Sequence, residues 1–262
     1  MQNTVTRETR FLLWLVIVVI APYGFFLYFY PGGAGNYWAW EISQPRTAVL
    51  IGSIYLAATF DYIVLTRQKE WLLIRSTLFS LFLVAAWLLV AAMLHWNSFY
   101  PYRFFTLSWL AAYYFPLFAV PLVFRIQDER FRENLQGDHL SQGWRTWLLI
   151  RGVFYAVVSI LIFIFADNVS TLWPWGIEPV NLRMFSGQIF VFGAFHAYAM
   201  RDGLWRRLKF LMLLAGLLAL THLIGLVITG GPYDWSSPIG ILLPLMFVEW
   251  LVTSLALWRA YK

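Results

Sequence analysis

Long apolar stretches recur along the whole chain, and short segments between them carry most of the charged residues. A helix that crosses a bilayer needs about 20 mostly apolar residues. Eight stretches meet this requirement, and the sixth is the least apolar because it contains Gln188 and His196. The predicted spans cover residues 11–30, 47–66, 71–94, 105–124, 147–166, 184–200, 208–229 and 239–258. The pattern therefore predicts an all-α integral membrane protein with about eight transmembrane helices.

The distribution of Lys and Arg predicts the orientation of these spans. Positively charged residues are kept on the cytoplasmic side of a membrane far more often than they are translocated. Sixteen Lys and Arg residues fall on the side of the N-terminus, whereas only Arg46, Arg103 and Arg183 fall on the opposite side. The sequence therefore predicts a multi-pass protein of the cell membrane (inner or plasma membrane) with both termini in the cytoplasm.

The second half of the chain resembles the first at a spacing of 135 residues. Trp-Ala-Trp-Glu-Ile at 38–42 recurs as Trp-Pro-Trp-Gly-Ile at 173–177, and Arg10 matches Arg145. A duplication predicts one four-helix repeat at 1–126, a cytoplasmic linker at 127–144 and a second repeat at 145–262. Because four spans are an even number, the repeats would be parallel, related by a pseudo-twofold axis along the membrane normal. Chance similarity is the alternative, since Trp and Gly are frequent here.

The composition supports a membrane protein and excludes several kinds of site. Hydrophobic residues make up 61% of the chain and charged residues only 12%, about half the charged share of a soluble domain. The chain has no Cys, which excludes disulfides and thiolate ligands. The net charge of +6 comes from residues at predicted helix ends, so nucleic acid is not an expected partner.

Four ionisable residues lie inside predicted spans, where a charge is costly and often functional. They are Asp61, His196, His222 and Glu249. Asp61 and His196 occupy matching positions of the two halves, so they are candidates for a pair across the pseudo-twofold axis. Glu249 is expected near the middle of the last span, with His222 as a candidate partner. The alternative for each residue is a structural hydrogen bond, for example from a histidine to a backbone carbonyl.

The repeated segments on the predicted outer face form a second candidate region. Each contains two Trp residues, a Pro and an Arg before a span begins. The candidates are Trp38, Trp40, Glu41, Arg46, Trp173, Trp175, Glu178 and Arg183. They are interpreted either as an interfacial tryptophan belt or as the mouth of a central cavity for an amphipathic ligand.

No cofactor is predicted from the sequence. At a rise of about 1.5 Å per residue, His196 and His222 differ in depth by roughly 10–15 Å, too far for two axial ligands of one haem. No spacing typical of a metal site occurs either.

The activity is not evident from any motif, and no catalytic residue is assigned. The favoured hypothesis is binding or transport of a hydrophobic or amphipathic small molecule at the interface of the two repeats. The alternatives are a noncatalytic membrane subunit or scaffold of a larger complex, and a membrane-embedded lipid-modifying enzyme. The expected partners are membrane lipids, with a hydrophobic small molecule or other membrane subunits as further candidates.

Overall fold

The computed structural model describes residues 4–128, 137–200 and 203–261. These residues form helices and no named strands, which confirms the predicted all-α class. The α-helices are α1 (Arg7–Phe29), α2 (Ala34–Tyr37), α3 (Pro45–Thr66), α4 (Trp71–Leu94), α5 (Phe104–Asp128), α6 (Gln142–Ile164), α7 (Ala166–Thr171), α8 (Pro179–Ala199), α9 (Trp205–Ile228) and α10 (Pro238–Ala260). Part of the predicted linker, residues 129–136, lies outside the described residues.

Seven helices in the described part of the chain are long and apolar enough to span a membrane. They are α1, α3, α4, α5, α6, α9 and α10. The eighth long helix, α8, has 21 residues but does not belong to this set. It corresponds to the sixth predicted stretch, whose polar residues lower its hydropathy. It also begins at Pro179 rather than at the predicted Met184.

The starts of the long helices follow from local sequence. Thr6 precedes α1, and its side chain accepts a hydrogen bond from the backbone N–H of Thr9. Ser141 caps α6 in the same way through the N–H of Trp144. Helices α3, α8 and α10 each begin with a proline, which suits the first helical position because its missing N–H has no partner there in any case.

Glycines bring two pairs of helices into close contact. On α6 and α8, a Cβ atom at Gly152 would lie 2.7 Å from the backbone N of Ala197, and one at Gly193 would lie 2.5 Å from that of Ala156. On α1 and α3, a Cβ atom at Gly24 would lie 2.9 Å from the N of Leu56. Small residues at helix crossings are typical of membrane bundles because packing replaces the hydrophobic effect there.

The long helices of the first half and those of the second half pack in equivalent pairs. Besides the pairs α1–α3 and α6–α8, α4 packs on α5 and α9 packs on α10. The most extensive contacts between the first four and the last four long helices are α3–α9, α4–α8 and α4–α9. The buried apolar residues form two large clusters, one mostly from α1, α3, α4 and α5 and the other mostly from α6, α8, α9 and α10.

Hydrogen bonds from residues just before α1 and α6 connect these helices to loops later in the chain. The N–H of Val5 donates to Lys69 O (2.9 Å), and the N–H of Leu140 donates to Gly203 O (2.8 Å). The guanidinium of Arg10 donates to Thr66 O (2.9 Å) at the end of α3. That of Arg145 donates to Met200 O (2.9 Å) just after α8. In both cases an Arg satisfies a backbone carbonyl at or just after the C-terminal end of a helix, where carbonyls have no partner within the helix.

Candidate functional site

A cavity of about 370 Å³ lies among the middle turns of six helices, α1, α3, α4, α5, α8 and α9. Its lining is largely aliphatic and aromatic. The polar side chains that line it are Tyr55, Tyr62, Ser80, Ser108, Tyr113 and Gln188. A volume of this size and a mostly apolar wall with a few polar groups are typical of small-molecule sites. Phe115, which lines the cavity, is also 45% exposed on the outer surface of the bundle.

A hydrogen-bonded aromatic group forms part of the cavity wall. Trp109 donates from Nε1 to the hydroxyl of Tyr55 (2.9 Å), and the hydroxyl of Tyr113 donates to the same oxygen (3.0 Å). All three side chains are buried. Because two donors hold the Tyr55 oxygen, the three rings on this side of the cavity are fixed relative to one another.

Asp61 is fully buried on α3. Neither of its carboxylate oxygens has a hydrogen-bond partner among the described residues. It lies beside the cavity, because the neighbouring residues Ala58 and Tyr62 both line the cavity wall. Asp61 shares a helix face with Ala58, which is three residues earlier. The structure describes no hydrogen bond between Asp61 and His196, the pair suggested by their matching positions.

His196 belongs to a separate polar cluster between α6, α8 and α10. Its Nε2 atom lies 3.3 Å from Nη1 of Arg151. The Nε atom of Arg151 forms an ion pair with Glu249 (2.9 Å to Oε1). The Glu249 carboxylate also accepts hydrogen bonds from the hydroxyls of Tyr155 (2.8 Å) and Thr253 (2.7 Å). We refer to these five residues as the Arg151 cluster.

Arg151 and Tyr155 were not among the residues predicted from the sequence. Arg151 was counted with the cytoplasmic arginines because it lies close to the start of the fifth apolar stretch. In the structure it is only 4% exposed and lies in the third turn of α6, where it neutralises Glu249. A cation four residues inside a predicted span was the signal that could have identified it.

His222 does not pair with Glu249 in the structure. Its Nδ1 atom lies 2.8 Å from the backbone oxygen of Leu218, one turn earlier in α9. Its ring packs on Phe247 with a centroid distance of 4.3 Å. His222 therefore corresponds to the structural alternative, in which a buried histidine makes a hydrogen bond to a backbone carbonyl.

The two Trp-x-Trp segments lie at one end of the bundle, which we call the tryptophan end (Trp38, Trp40, Trp173 and Trp175). All four rings are buried, so they contact protein rather than lipid headgroups. The two rings of each segment meet edge to face, with centroid distances of 5.5 Å in both cases. The expectation of an interfacial tryptophan belt is therefore wrong for these residues.

The second Trp of each segment reaches a helix of the other half of the chain. Trp40 donates from Nε1 to Oδ1 of Asn181 on α8 (2.7 Å), and Trp175 donates from Nε1 to Oγ1 of Thr47 on α3 (2.9 Å). Glu178 adds another link because its Oε1 atom accepts from the backbone N–H of Ser43 (2.9 Å) and from the Ser43 hydroxyl. The two buried indole hydrogen bonds and the exposed contacts between Ser43 and Glu178 join the two halves at the tryptophan end.

The two candidate arginines at this end also reach across between the halves. Arg46 donates to Gly231 O (2.8 Å) and lies over the ring of Tyr233. Arg183 contacts the ring of His95 and pairs with Asp167 (3.0 Å). Glu41 is exposed.

Arg183 also affects the ionisation of His95. Burial lowers the pKa of His95, and the nearby Arg183 guanidinium lowers this pKa further, whereas Asp167 acts in the opposite direction. The lowered pKa keeps the His95 ring neutral near pH 7, so it accepts a hydrogen bond from Arg183 rather than repelling it.

No group of three or more His, Cys, Asp or Glu side chains suited to a metal ion occurs within the described ranges. Comparison with protein-family models, with curated proteins and with solved structures finds no match to the chain.

Proposed function

We propose that the chain crosses the cell membrane eight times, with both termini in the cytoplasm. The seven apolar helices support this topology, and α8 has a comparable length. Several polar residues of α8 face protein rather than lipid, because Asn181, Ser186 and His196 are each at most 1% exposed. The mean hydropathy of α8 therefore understates its fitness for a membrane, since buried polar groups cost little once they are paired.

We also propose that these spans form two parallel four-helix repeats. Equivalent hydrogen bonds at spacings of 134 or 135 residues support this. The bond from Val5 to Lys69 corresponds to that from Leu140 to Gly203, and that from Trp40 to Asn181 corresponds to that from Trp175 to Thr47. The contacts between halves agree with a pseudo-twofold axis, since exchange of the halves converts α3–α9 into α8–α4.

Within this architecture, we propose that the protein binds or transports a hydrophobic or amphipathic small molecule. The observation that carries the proposal is the 370 Å³ cavity, whose wall combines residues of both halves at mid-helix depth. The hydroxyls of Tyr62, Ser80 and Ser108 and the amide of Gln188 would orient the polar part of a ligand, and the aliphatic and aromatic wall would hold the rest. Phe115 marks a lateral route from lipid into the cavity, because it borders both the cavity and the surface.

We propose that Asp61, His196 and Glu249 are the functional polar groups within the spans. They lie in two separate places. Asp61 lies beside the cavity, whereas His196 and Glu249 belong to the Arg151 cluster. That cluster contains opposite charges in contact, so it contributes a neutral, hydrogen-bonded group rather than a net charge.

Substitution of the cavity wall tests this function. Ala112 lines the cavity, so Ala112→Phe should fill it and reduce binding of a neutral aromatic alcohol, triphenylmethanol, at least tenfold in the purified protein. Val90→Phe is the matched control, because Val90 is 44% exposed on the face of α4 directed at lipid. Unchanged binding of triphenylmethanol in Ala112→Phe would contradict the proposal, and so would failure of the unsubstituted protein to bind any hydrophobic probe, neutral or charged.

A further inference from the structure

We propose that the ligand of the cavity is an amphipathic cation, such as a hydrophobic amine or onium ion, attracted by Asp61. The inference rests on the proposed function, because it assigns a charge to the molecule that the cavity would bind. Three observations carry it: an aromatic wall, a buried carboxylate next to that wall, and the different residues found at the equivalent positions of the second half.

The first observation is the chemistry of the wall. Tyr55, Tyr62, Tyr113, Phe115 and Phe192 all line the cavity. The faces of aromatic rings attract cations, and this attraction is strongest where water is excluded. No Lys, Arg or His from the described residues lines the cavity, so its wall contains no positive charge that would repel a cation.

The second observation is Asp61. A fully buried carboxylate without hydrogen-bond donors is costly when ionised, and such groups are normally paired. Both oxygens of Asp61 lack such a partner among the described residues, in contrast to Glu249, which accepts from Arg151, Tyr155 and Thr253. Asp61 shares a helix face with Ala58 of the cavity wall. In a medium of low dielectric constant, a carboxylate attracts a cation over several ångströms, so direct contact is not required.

The third observation is the difference between the halves. At the spacing of the proposed repeat, Val16 corresponds to Arg151, and Phe115 corresponds to Glu249. Val16 and Phe115 line the cavity, whereas Arg151 and Glu249 form an ion pair. The second half thus supplies its own cation next to its acid. The first half has an acid, Asp61, and apolar residues around an open volume, which leaves room for a cation that comes from outside the chain.

The test compares probes of the same shape and opposite charge. Tetraphenylphosphonium is a permanent cation, tetraphenylborate is an anion of nearly identical shape, and triphenylmethanol is neutral. We expect the purified protein to bind tetraphenylphosphonium at least tenfold more tightly than tetraphenylborate. Asp61→Asn should weaken tetraphenylphosphonium binding at least tenfold and leave triphenylmethanol binding within about twofold, because only the charge is removed. Asp138→Asn, at an exposed position, is the matched control and should change neither.

The outcomes separate this inference from the proposed function. If the protein binds triphenylmethanol but does not prefer the cation, or if Asp61→Asn binds the cation normally, the inference is wrong and the cavity proposal stands. If none of the three probes binds, the proposed function itself is wrong. If Asp61→Asn does not fold, the comparison of cation and anion on the unsubstituted protein still decides, and Asp61→Glu should preserve the preference.

Discussion

Asp61 and Glu249 are both acidic residues within long helices, but the structure accommodates them in different ways. Glu249 is held by an arginine and two hydroxyls, whereas Asp61 has no hydrogen-bond partner among the described residues. Both were identified from the sequence because each is an ionisable residue within an apolar stretch. Their surroundings were not, since the partners of Glu249 come from α6 and from one turn further along α10, and sequence spacing does not reveal which helices are neighbours.

Removal of the Glu249 charge should destabilise the protein. In Glu249→Gln, Arg151 keeps its charge at a site where its side chain is only 3% exposed. Breaking a buried ion pair typically costs 3–5 kcal/mol. The Glu249 side chain is 29% exposed, so we expect a loss of about 2 kcal/mol in the free energy of unfolding. Thermal or denaturant unfolding of the purified protein in detergent would measure it.

A double substitution and a surface pair serve as controls for this prediction. Arg151→Met with Glu249→Met removes both charges and should recover at least half of the loss, because an apolar replacement of a buried pair is often neutral. Glu70→Gln breaks the more exposed pair with Arg206, so it should change stability by less than about 1 kcal/mol. Equal losses in Glu249→Gln and Glu70→Gln would mean that burial of the Arg151 pair has no energetic consequence.

At the scale of single helices, sequence patterns located all the long helices but not all of their ends. Hydropathy placed the start of the sixth stretch at Met184, whereas α8 begins at Pro179. The first two turns of α8 contain Asn181 and Arg183, whose polar side chains lower the local hydropathy. Both side chains bond to other parts of the protein, so these polar residues fit within the helix. Pro179 at the first helical position was the local signal for the correct start.

The contact between α6 and α8 should depend on the absence of side chains at the crossing. Gly193→Ala would place a Cβ atom 2.5 Å from the backbone N of Ala156, so the helices must separate. Overpacking of this kind typically costs 1–3 kcal/mol, which outweighs the gain of up to about 1 kcal/mol in helix propensity. We expect a net loss of about 1 kcal/mol or more in the free energy of unfolding, measured as for Glu249→Gln.

Gly143→Ala is the control for the crossing. Gly143 lies in the first turn of α6, and a Cβ atom there would meet nothing within 4 Å. The substitution should therefore be neutral or slightly stabilising. If Gly193→Ala were as well tolerated as Gly143→Ala, the close approach of α6 and α8 would not contribute to stability.

For the whole molecule, the orientation predicted from Lys and Arg can be tested directly. The chain has no Cys, so single-cysteine variants carry no background. Tyr102 is 97% exposed between α4 and α5, and Tyr102→Cys should react with a membrane-impermeant maleimide in intact cells. Asp138→Cys, before α6, should react only after the cells are permeabilised. The reverse pattern would invert the proposed topology.

The sequence predicted less about the assembly of the helices than about the helices themselves. The recurrence of Trp-x-Trp indicated that the two segments are equivalent, but it favoured a location among lipid headgroups. In the structure the same rings are buried, because Asn181 and Thr47 on the opposite halves provide acceptors for their indole N–H groups. A central cavity was one interpretation of the sequence, but its lining could not be predicted, since it arises from small and large residues on six helices that are distant in the sequence.

The hydrogen bonds at the tryptophan end also restrict how the two halves can move. When two rigid bodies are held together at one end, their relative displacement is smallest at that end and grows with distance from it. Hydrogen bonds of Trp40, Trp175 and Glu178 hold the halves together at the end where α3 and α8 begin. Rocking of the halves that preserves these bonds would widen the bundle at the end that carries both chain termini, and it would first have to break the ion pair between Glu70 and Arg206, which joins the halves at that end.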